Sequence, residues 1–100
     1  MNQQSHSTPG APAVVADRLA LVYDSSGRIL HHHRVTTLQG RRTRTEVEVR
    51  EAALAHAKSA QAHDWVGEAS VLLVEPHELE AGHTHRVDVA SQTLVSEPRR

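Results

Sequence analysis

The chain has 100 residues, with eleven Lys or Arg, twelve Asp or Glu and a net charge of -1 when its nine histidines are neutral. This length permits one domain, and the balanced charge does not indicate nucleic acid as the default partner. The lack of cysteine excludes disulfides and thiolate sites and suits a cytoplasmic protein, and no apolar run approaches the roughly 20 residues of a membrane span.

The two ends of the chain differ in composition from its middle. Residues 1–16, MNQQSHSTPGAPAVVA, combine Pro and Gly with polar residues and lack a strong apolar period, so we expect a disordered tail. Residues 97–100 are expected to fray, which leaves a single small α+β domain over residues 17–96. The strong preference for Arg over Lys indicates a GC-rich genome, which we interpret as bacterial.

Residues 17–35 predict a β-hairpin. The alternating strands DRLALVY and RILHHHRV flank DSSG, whose residues suit a type I turn closed by a left-handed glycine. In that register Leu21 faces His31. One hairpin face is then predicted to carry Leu19, Leu21, Tyr23, Ile29, His31, His33 and Val35, and the other face Ala20, Val22, Leu30, His32 and Arg34.

A helix is predicted after a loop at residues 36–42. Thr43 and Glu46 match a capping box, and a helix-forming run follows, so we expect a helix over residues 45–63. Its apolar stripe is weak and consists mainly of small side chains: Val49, Ala53, Ala57 and Ala60, with Val47 and Leu54 beside them. Such small side chains allow the helix to approach a sheet closely.

Three more strands are predicted in the second half of the chain. The continuously apolar run ASVLLVEP at 69–76 is typical of a central strand buried on both faces. The segments THRVDV and TLVS follow as two short strands joined by a tight turn. The order β-β-α-β-β-β predicts a two-layer α+β fold with one helix packed on a mainly antiparallel sheet of about five strands.

The composition favours a role in protein–protein contact. Aromatic residues make up only 2% of the chain, so its core must be thin, and small domains of this kind are often stabilised by oligomerisation. We expect a non-enzymatic domain without a cofactor that binds itself or another protein through an uncovered sheet face or an edge strand. The candidate interaction surface comprises Leu19, Leu21, Tyr23 and Ile29, and these residues, with Leu72 and Val74, supply either core or interface.

The alternative hypothesis is a metal-binding module built from two His-x-His pairs. His31 and His33 form the first pair, and His83 and His85 form the second. Alternate residues of a strand point the same way, so each pair is able to direct two imidazoles at one ion. Zinc or another divalent transition metal suits nitrogen ligands, and a site with four histidines would require the two pairs to meet.

Other functions have weaker support in the sequence. RRTR at 41–44, with Arg28 and Arg34, offers positive charge to phosphates, but the chain offers only one Tyr and one Trp for base stacking, so nucleic-acid binding is a second alternative. No nucleophile elbow, phosphate loop or dinucleotide motif indicates an enzyme. His56 and His63 lie seven residues apart on one helix face, where we interpret both as surface residues. Several of the nine histidines would gain charge between about pH 7 and 5.5.

Overall fold

The computed structural model describes residues 13–60 and 68–99 of the chain. Strands β1 and β2 are followed by one helix, α1, and by strands β3, β4 and β5, with a short 3-10 helix between β3 and β4. In chain order the bounds are β1 Val14–Asp24, β2 Ile29–Leu38, α1 Glu46–Ala60, β3 Ala69–Val74, the 3-10 helix Pro76–Glu78, β4 His83–Asp88 and β5 Thr93–Pro98. No helix in these two ranges has the length and apolar character needed to cross a membrane.

The predicted α+β fold is confirmed, with all strand pairs antiparallel. The five strands divide between a three-stranded sheet of order β2-β1-β3 and a separate β4-β5 hairpin. The central strand of the larger sheet is β1, whose residues 19–23 are all buried. The prediction that the VLLV strand would be central was therefore wrong: β3 lies at an edge, although Val71 and Val74 within it are buried.

The turn between β1 and β2 has the predicted chemistry. Gly27 has a φ of 90°, and the amide of Asp24 donates a hydrogen bond of 3.0 Å to the carbonyl of Arg28. The Asp24 carboxylate accepts further hydrogen bonds from the amides of Ser26 and Arg28 and from the Ser26 hydroxyl. Together these bonds lower the pKa of Asp24, and the bond from the Ser26 hydroxyl has the largest effect. These bonds fix the register beside the turn, where Tyr23 faces Ile29 as predicted.

Beyond Ile29 the predicted register of the hairpin is wrong by one residue. Tyr23 pairs with Ile29, but the next residue of β1, Val22, pairs with His31, which leaves Leu30 as a β-bulge. One extra residue moves every later side chain of β2 to the opposite face. His31 and His33 consequently share the face of Val22, and not that of Leu21 as the alternation predicted.

The strands also extend further than predicted. β1 begins at Val14, inside the segment expected to be disordered, because Val14 pairs with Leu38 and the Gln39 amide bonds to the Ala13 carbonyl at 2.7 Å. β2 likewise continues to Leu38, through the first part of the predicted loop. At the other end β5 runs to Pro98, two residues into the segment expected to fray. Residues 1–12 and 100 lie outside the described residues.

Helix α1 begins two residues later than the predicted cap implies. The Glu48 carboxylate accepts the Thr45 amide at 2.8 Å, and the Thr45 hydroxyl accepts the Glu48 amide at 3.2 Å. This reciprocal pair is a capping box with Thr45, and not Thr43, as the N-cap. The predicted sheet-facing residues Val49, Ala53 and Ala57 are buried, whereas Ala60 is exposed. The predicted last residues, 61–63, lie outside the described residues.

The two faces of the three-stranded sheet carry separate apolar clusters. On one face α1 covers Ala20, Val22 and Val71, with Val49, Ala53 and Ala57 contributed by the helix. On the other face Leu19, Leu21 and Val74 are buried, and Leu94 of β5 and Leu79 of the preceding turn pack against them. The domain is therefore a sheet with a helix on one side and a β-hairpin on the other.

Candidate functional site

The first histidine pair lies under the helix. The bulge at Leu30 directs His31 and His33 to the face that α1 covers, where their cross-strand partners are Val22 and Ala20. Their ring centroids are 6.4 Å apart, as expected for alternate residues of one strand. Both side chains are half-buried.

The second pair belongs to the β4-β5 hairpin. His85 accepts a hydrogen bond of 3.0 Å at Nε2 from the amide of Glu80. The ring of His83 lies 3.1 Å from the carbonyl of Ala81 at Nδ1 and 3.7 Å from the Glu80 carboxylate at Nε2. Both rings thus hold the turn that leads into β4, which gives them a structural role within their own hairpin.

The four histidines do not form the single metal site that we hypothesised. Within residues 13–60 and 68–99, no group of three or more His, Cys, Asp or Glu side chains is arranged to hold a metal ion. The physical reason is the bulge: it turns the first pair to the helix side of the sheet, while the second pair is bound to its own turn.

A third histidine joins the first pair, and sequence reasoning missed it. The ring of His56 on α1 lies 4.6 Å from that of His33, between centroids. We refer to His31, His33 and His56 as the histidine cluster. The helix turns Val49, Ala53 and Ala57 towards the sheet, which places His56 at the border of the helix–sheet contact. His33 meets His56 there only because the bulge in β2 turns His33 to the helix side.

The electrostatic setting of the cluster disfavours positive charge. Burial lowers the pKa of His33, and the nearby positive charges of His56, His31 and Arg44 lower it further. Burial also lowers the pKa of His31, with further contributions from His56 and His32. Among the described residues no carboxylate is a cause of either shift, so the neutral imidazoles are favoured in the folded protein.

The candidate interaction residues of the first hairpin lie inside the domain. Leu19, Leu21 and Tyr23 are buried, and half-buried Ile29 packs against the same cluster. The sequence left open whether these residues belong to the core or to an interface. They belong to the core, because the β4-β5 hairpin covers their face of the sheet. Any surface for a partner must be sought elsewhere.

The first half of β1 forms an apolar overhang. β3 pairs only with Leu19–Asp24, and no described strand lies beside residues 14–18 on that side. Val14 is 59% exposed and Val15 is 58% exposed, and Leu38, which pairs with Val14, is also exposed. We refer to residues 14–18 as the β1 overhang.

The backbone of the overhang is available for strand pairing. The Asp24 amide points towards β2, since it bonds to Arg28 there, and successive residues of a strand direct their amides to alternate sides. The bulge at Leu30 belongs to β2, and a second register shift lies between Val14 and Ala16, so the alternation along β1 is unbroken from Asp24 to Ala16. The amide and carbonyl of Asp17 therefore point to the side where β3 has ended.

The other two edges of the sheet are protected. On β3, the guanidinium of Arg50 donates a hydrogen bond to the Val71 carbonyl. On β2, the exposed side chains near the outer edge are His32, Arg34 and Thr36. Charged and polar edges resist pairing with other chains, so the β1 overhang differs from both in the two exposed apolar side chains at its start, Val14 and Val15.

The charges around the overhang are partly satisfied within the chain. Arg34 donates two hydrogen bonds to the Asp17 carboxylate, which lowers the pKa of Asp17. Arg18 and Glu75 line the same open groove as Val14 and Val15. Neither Arg18 nor Glu75 forms an ion pair within the described parts of the chain, so one cation and one anion remain there.

The arginines considered for phosphate binding are largely engaged with acidic residues. Arg28 lies 3.4 Å from the Asp24 carboxylate, Arg34 binds Asp17, and Arg42 binds Glu48 at 2.9 Å. The basic segment therefore carries less free positive charge than its sequence suggests. Arg41 and Arg44 line a groove beside the end of β2.

In comparisons with known proteins, no family model, no curated protein and no solved structure matches the chain.

Proposed function

We propose that this domain is a non-enzymatic protein-interaction module that self-associates through the β1 overhang. The observation that carries the proposal is the combination of an unpaired strand edge with two exposed valines at Val14 and Val15. A strand added there would continue the sheet and bury both side chains. The lack of cysteine supports the cytoplasm as the compartment.

The occupant that fits this edge is a second copy of the chain. Antiparallel pairing of two identical overhangs about a two-fold axis presents the same groove twice. Each groove is lined by Arg18 and Glu75, neither of which forms an ion pair within the described residues, so each copy offers one cation and one anion to the other. The added strand would also enlarge an apolar core that is thin because α1 contributes mainly alanines.

The mass of the full chain in solution tests self-association directly. Light scattering at increasing protein concentration should show a dimer for the unmodified chain. Val15→Lys should give a monomer, because it places a charge in the new interface. Val47→Lys is the matched control, since Val47 is a similarly exposed valine, at 63%, that belongs to α1 and not to the overhang. A strict monomer at high micromolar concentration would overturn the proposal.

A charge exchange tests which residues meet at the interface. Arg18→Glu should weaken the dimer, and the double variant Arg18→Glu with Glu75→Arg should restore it, since the complementary pair returns with reversed polarity. If the double variant dimerises no better than Arg18→Glu alone, the two residues do not pair across the interface.

A further inference from the structure

The histidine cluster stands at the contact between α1 and β2, apart from the overhang. The ring of His33 lies 4.6 Å from that of His56 and 6.4 Å from that of His31. We propose that this cluster is a proton-sensitive contact that loosens α1 from the sheet when the surroundings become mildly acidic. The inference is independent of the proposed self-association.

Within residues 13–60 and 68–99, the side chains that face the cluster from β1 and β3 offer no negative charge to stabilise its protonated form. On β1, the side chains opposite His31 and His33 are Val22 and Ala20. On β3, the side chains of the same face are likewise without charge: Ala69, Val71 and Leu73. One helical turn away from His56 in either direction lie only Ala52, Ala53, Ser59 and Ala60.

The charged groups near the cluster are positive. Arg44, just before α1, and His32, next along β2, both act on it. Arg18 of β1 lies on the same sheet face as Ala20, two residues earlier in the strand, and is paired with Val35 of β2. The acidic residue nearest to the start of α1, Glu48, is already bound to Arg42 and Thr45. A proton gained by one imidazole therefore meets only charges of its own sign.

The direction of the pH effect follows from the pKa shifts. Burial lowers the pKa of His31 and His33 below the ordinary value of 6.5. The unfolded or undocked chain therefore binds more protons than the folded one as the pH falls through 6.5. Docking of α1 is fully favoured above that value and weakens below it.

Helix α1 is a sensitive element because its apolar contact with the sheet is small, although Arg50 also donates a hydrogen bond to the Val71 carbonyl and Leu54 packs beside the apolar cluster. Its fully buried side chains are Val49, Ala53 and Ala57, so only one of them is larger than a methyl group. Apolar burial scales with area, and two alanines contribute little of it. A modest repulsion among three rings is therefore able to change how often α1 leaves the sheet.

Amide hydrogen exchange of the full chain tests the inference, read as protection factors so that the intrinsic pH effect is removed. Between about pH 7.5 and about pH 5.5, either side of the ordinary histidine pKa, protection of α1 amides should fall roughly three- to tenfold. Protection of β1 amides should fall less. His56→Gln should reduce the fall on α1, because it removes one of the three rings that repel one another when protonated and keeps a polar side chain.

Two further variants make the outcome decisive. His77→Gln changes an exposed histidine of the 3-10 helix and should leave the pH response intact. Arg44→Gln removes a cation that lowers the pKa of His33 and should therefore make the fall in protection smaller, a test that remains even if His56→Gln does not fold. An α1 protection that is independent of pH, or a full response in His56→Gln, would overturn the inference.

Discussion

The amide of Val87 donates a hydrogen bond of 2.9 Å to the carbonyl of Gly27, which joins the first hairpin turn to β4. A Cβ atom at Gly27 would overlap the carbonyl oxygen of Val87. Glycine is therefore required at position 27 for two reasons: the φ of 90° and the close approach of the Val87 carbonyl. Val87 itself is 1% exposed, so β4 has little room to move away.

Substitution of Gly27 should be far more costly than substitution of a glycine with similar backbone geometry. Gly40→Ala is the matched control, because Gly40 has a φ of 87° but open space around the added atom. We expect Gly40→Ala to cost about 1–2 kcal/mol of unfolding free energy from the left-handed backbone alone. Gly27→Ala should cost at least about 3 kcal/mol, since overlap adds to the strain. Equal losses in urea denaturation would contradict the close packing.

The burial of Leu21 predicts a core role that is measurable without any partner. Leu21 has no exposed surface. Leu21→Ala should therefore lower the unfolding free energy by about 2–5 kcal/mol. Val47→Ala, at an exposed site, should change it by less than about 0.5 kcal/mol. A small effect of Leu21→Ala would indicate that this face is open surface and would restore its candidacy as an interaction site.

The N-cap of α1 distinguishes two threonines that the sequence presents alike. Thr45→Ala removes the hydroxyl that accepts the Glu48 amide, and should cost about 1 kcal/mol. Thr43→Ala is the control and should cost less than about 0.5 kcal/mol. Thermal unfolding followed by circular dichroism measures both. The reverse order of the two losses would place the cap at Thr43.

Glu48 should make stability depend on acid. The hydrogen bonds from Arg42 and the Thr45 amide lower the pKa of Glu48 from 4.5 to about 2. Its contribution is therefore present above pH 4.5 and is lost as the pH falls from 4.5 towards 2. Chemical denaturation across this range should show a smaller loss for Glu48→Gln than for the unmodified chain. A pH dependence unchanged by Glu48→Gln would show that the Arg42 contact contributes nothing in solution.

Much of the fold is readable from the sequence because local chemistry specifies it. The Asp24–Gly27 turn needs a carboxylate at its start and a left-handed residue at its end, and both are visible in DSSG. The helix carries its acidic first turn and its stripe of Val49, Ala53 and Ala57 openly. The order of elements follows from such signals, and the predicted α+β class is confirmed.

The histidine cluster and the overhang are not readable in this way. His33 meets His56 only through the pairing of β2 with β1 and the packing of α1, which link residues far apart in the chain. The free edge of β1 exists because β3 stops at Val74 while β1 continues to Val14, and strand lengths depend on pairing partners.

The turn, the helix and the alternation of apolar residues follow from the sequence directly, because each depends on residues close together in the chain. The direction of the histidine side chains does not, because it depends on how β2 pairs with β1. A single extra residue, Leu30, shifts the register of β2, and the two-residue repeat of a strand converts that shift into a change of face. His33 meets His56, and not the Leu21 side of the sheet, for this reason alone.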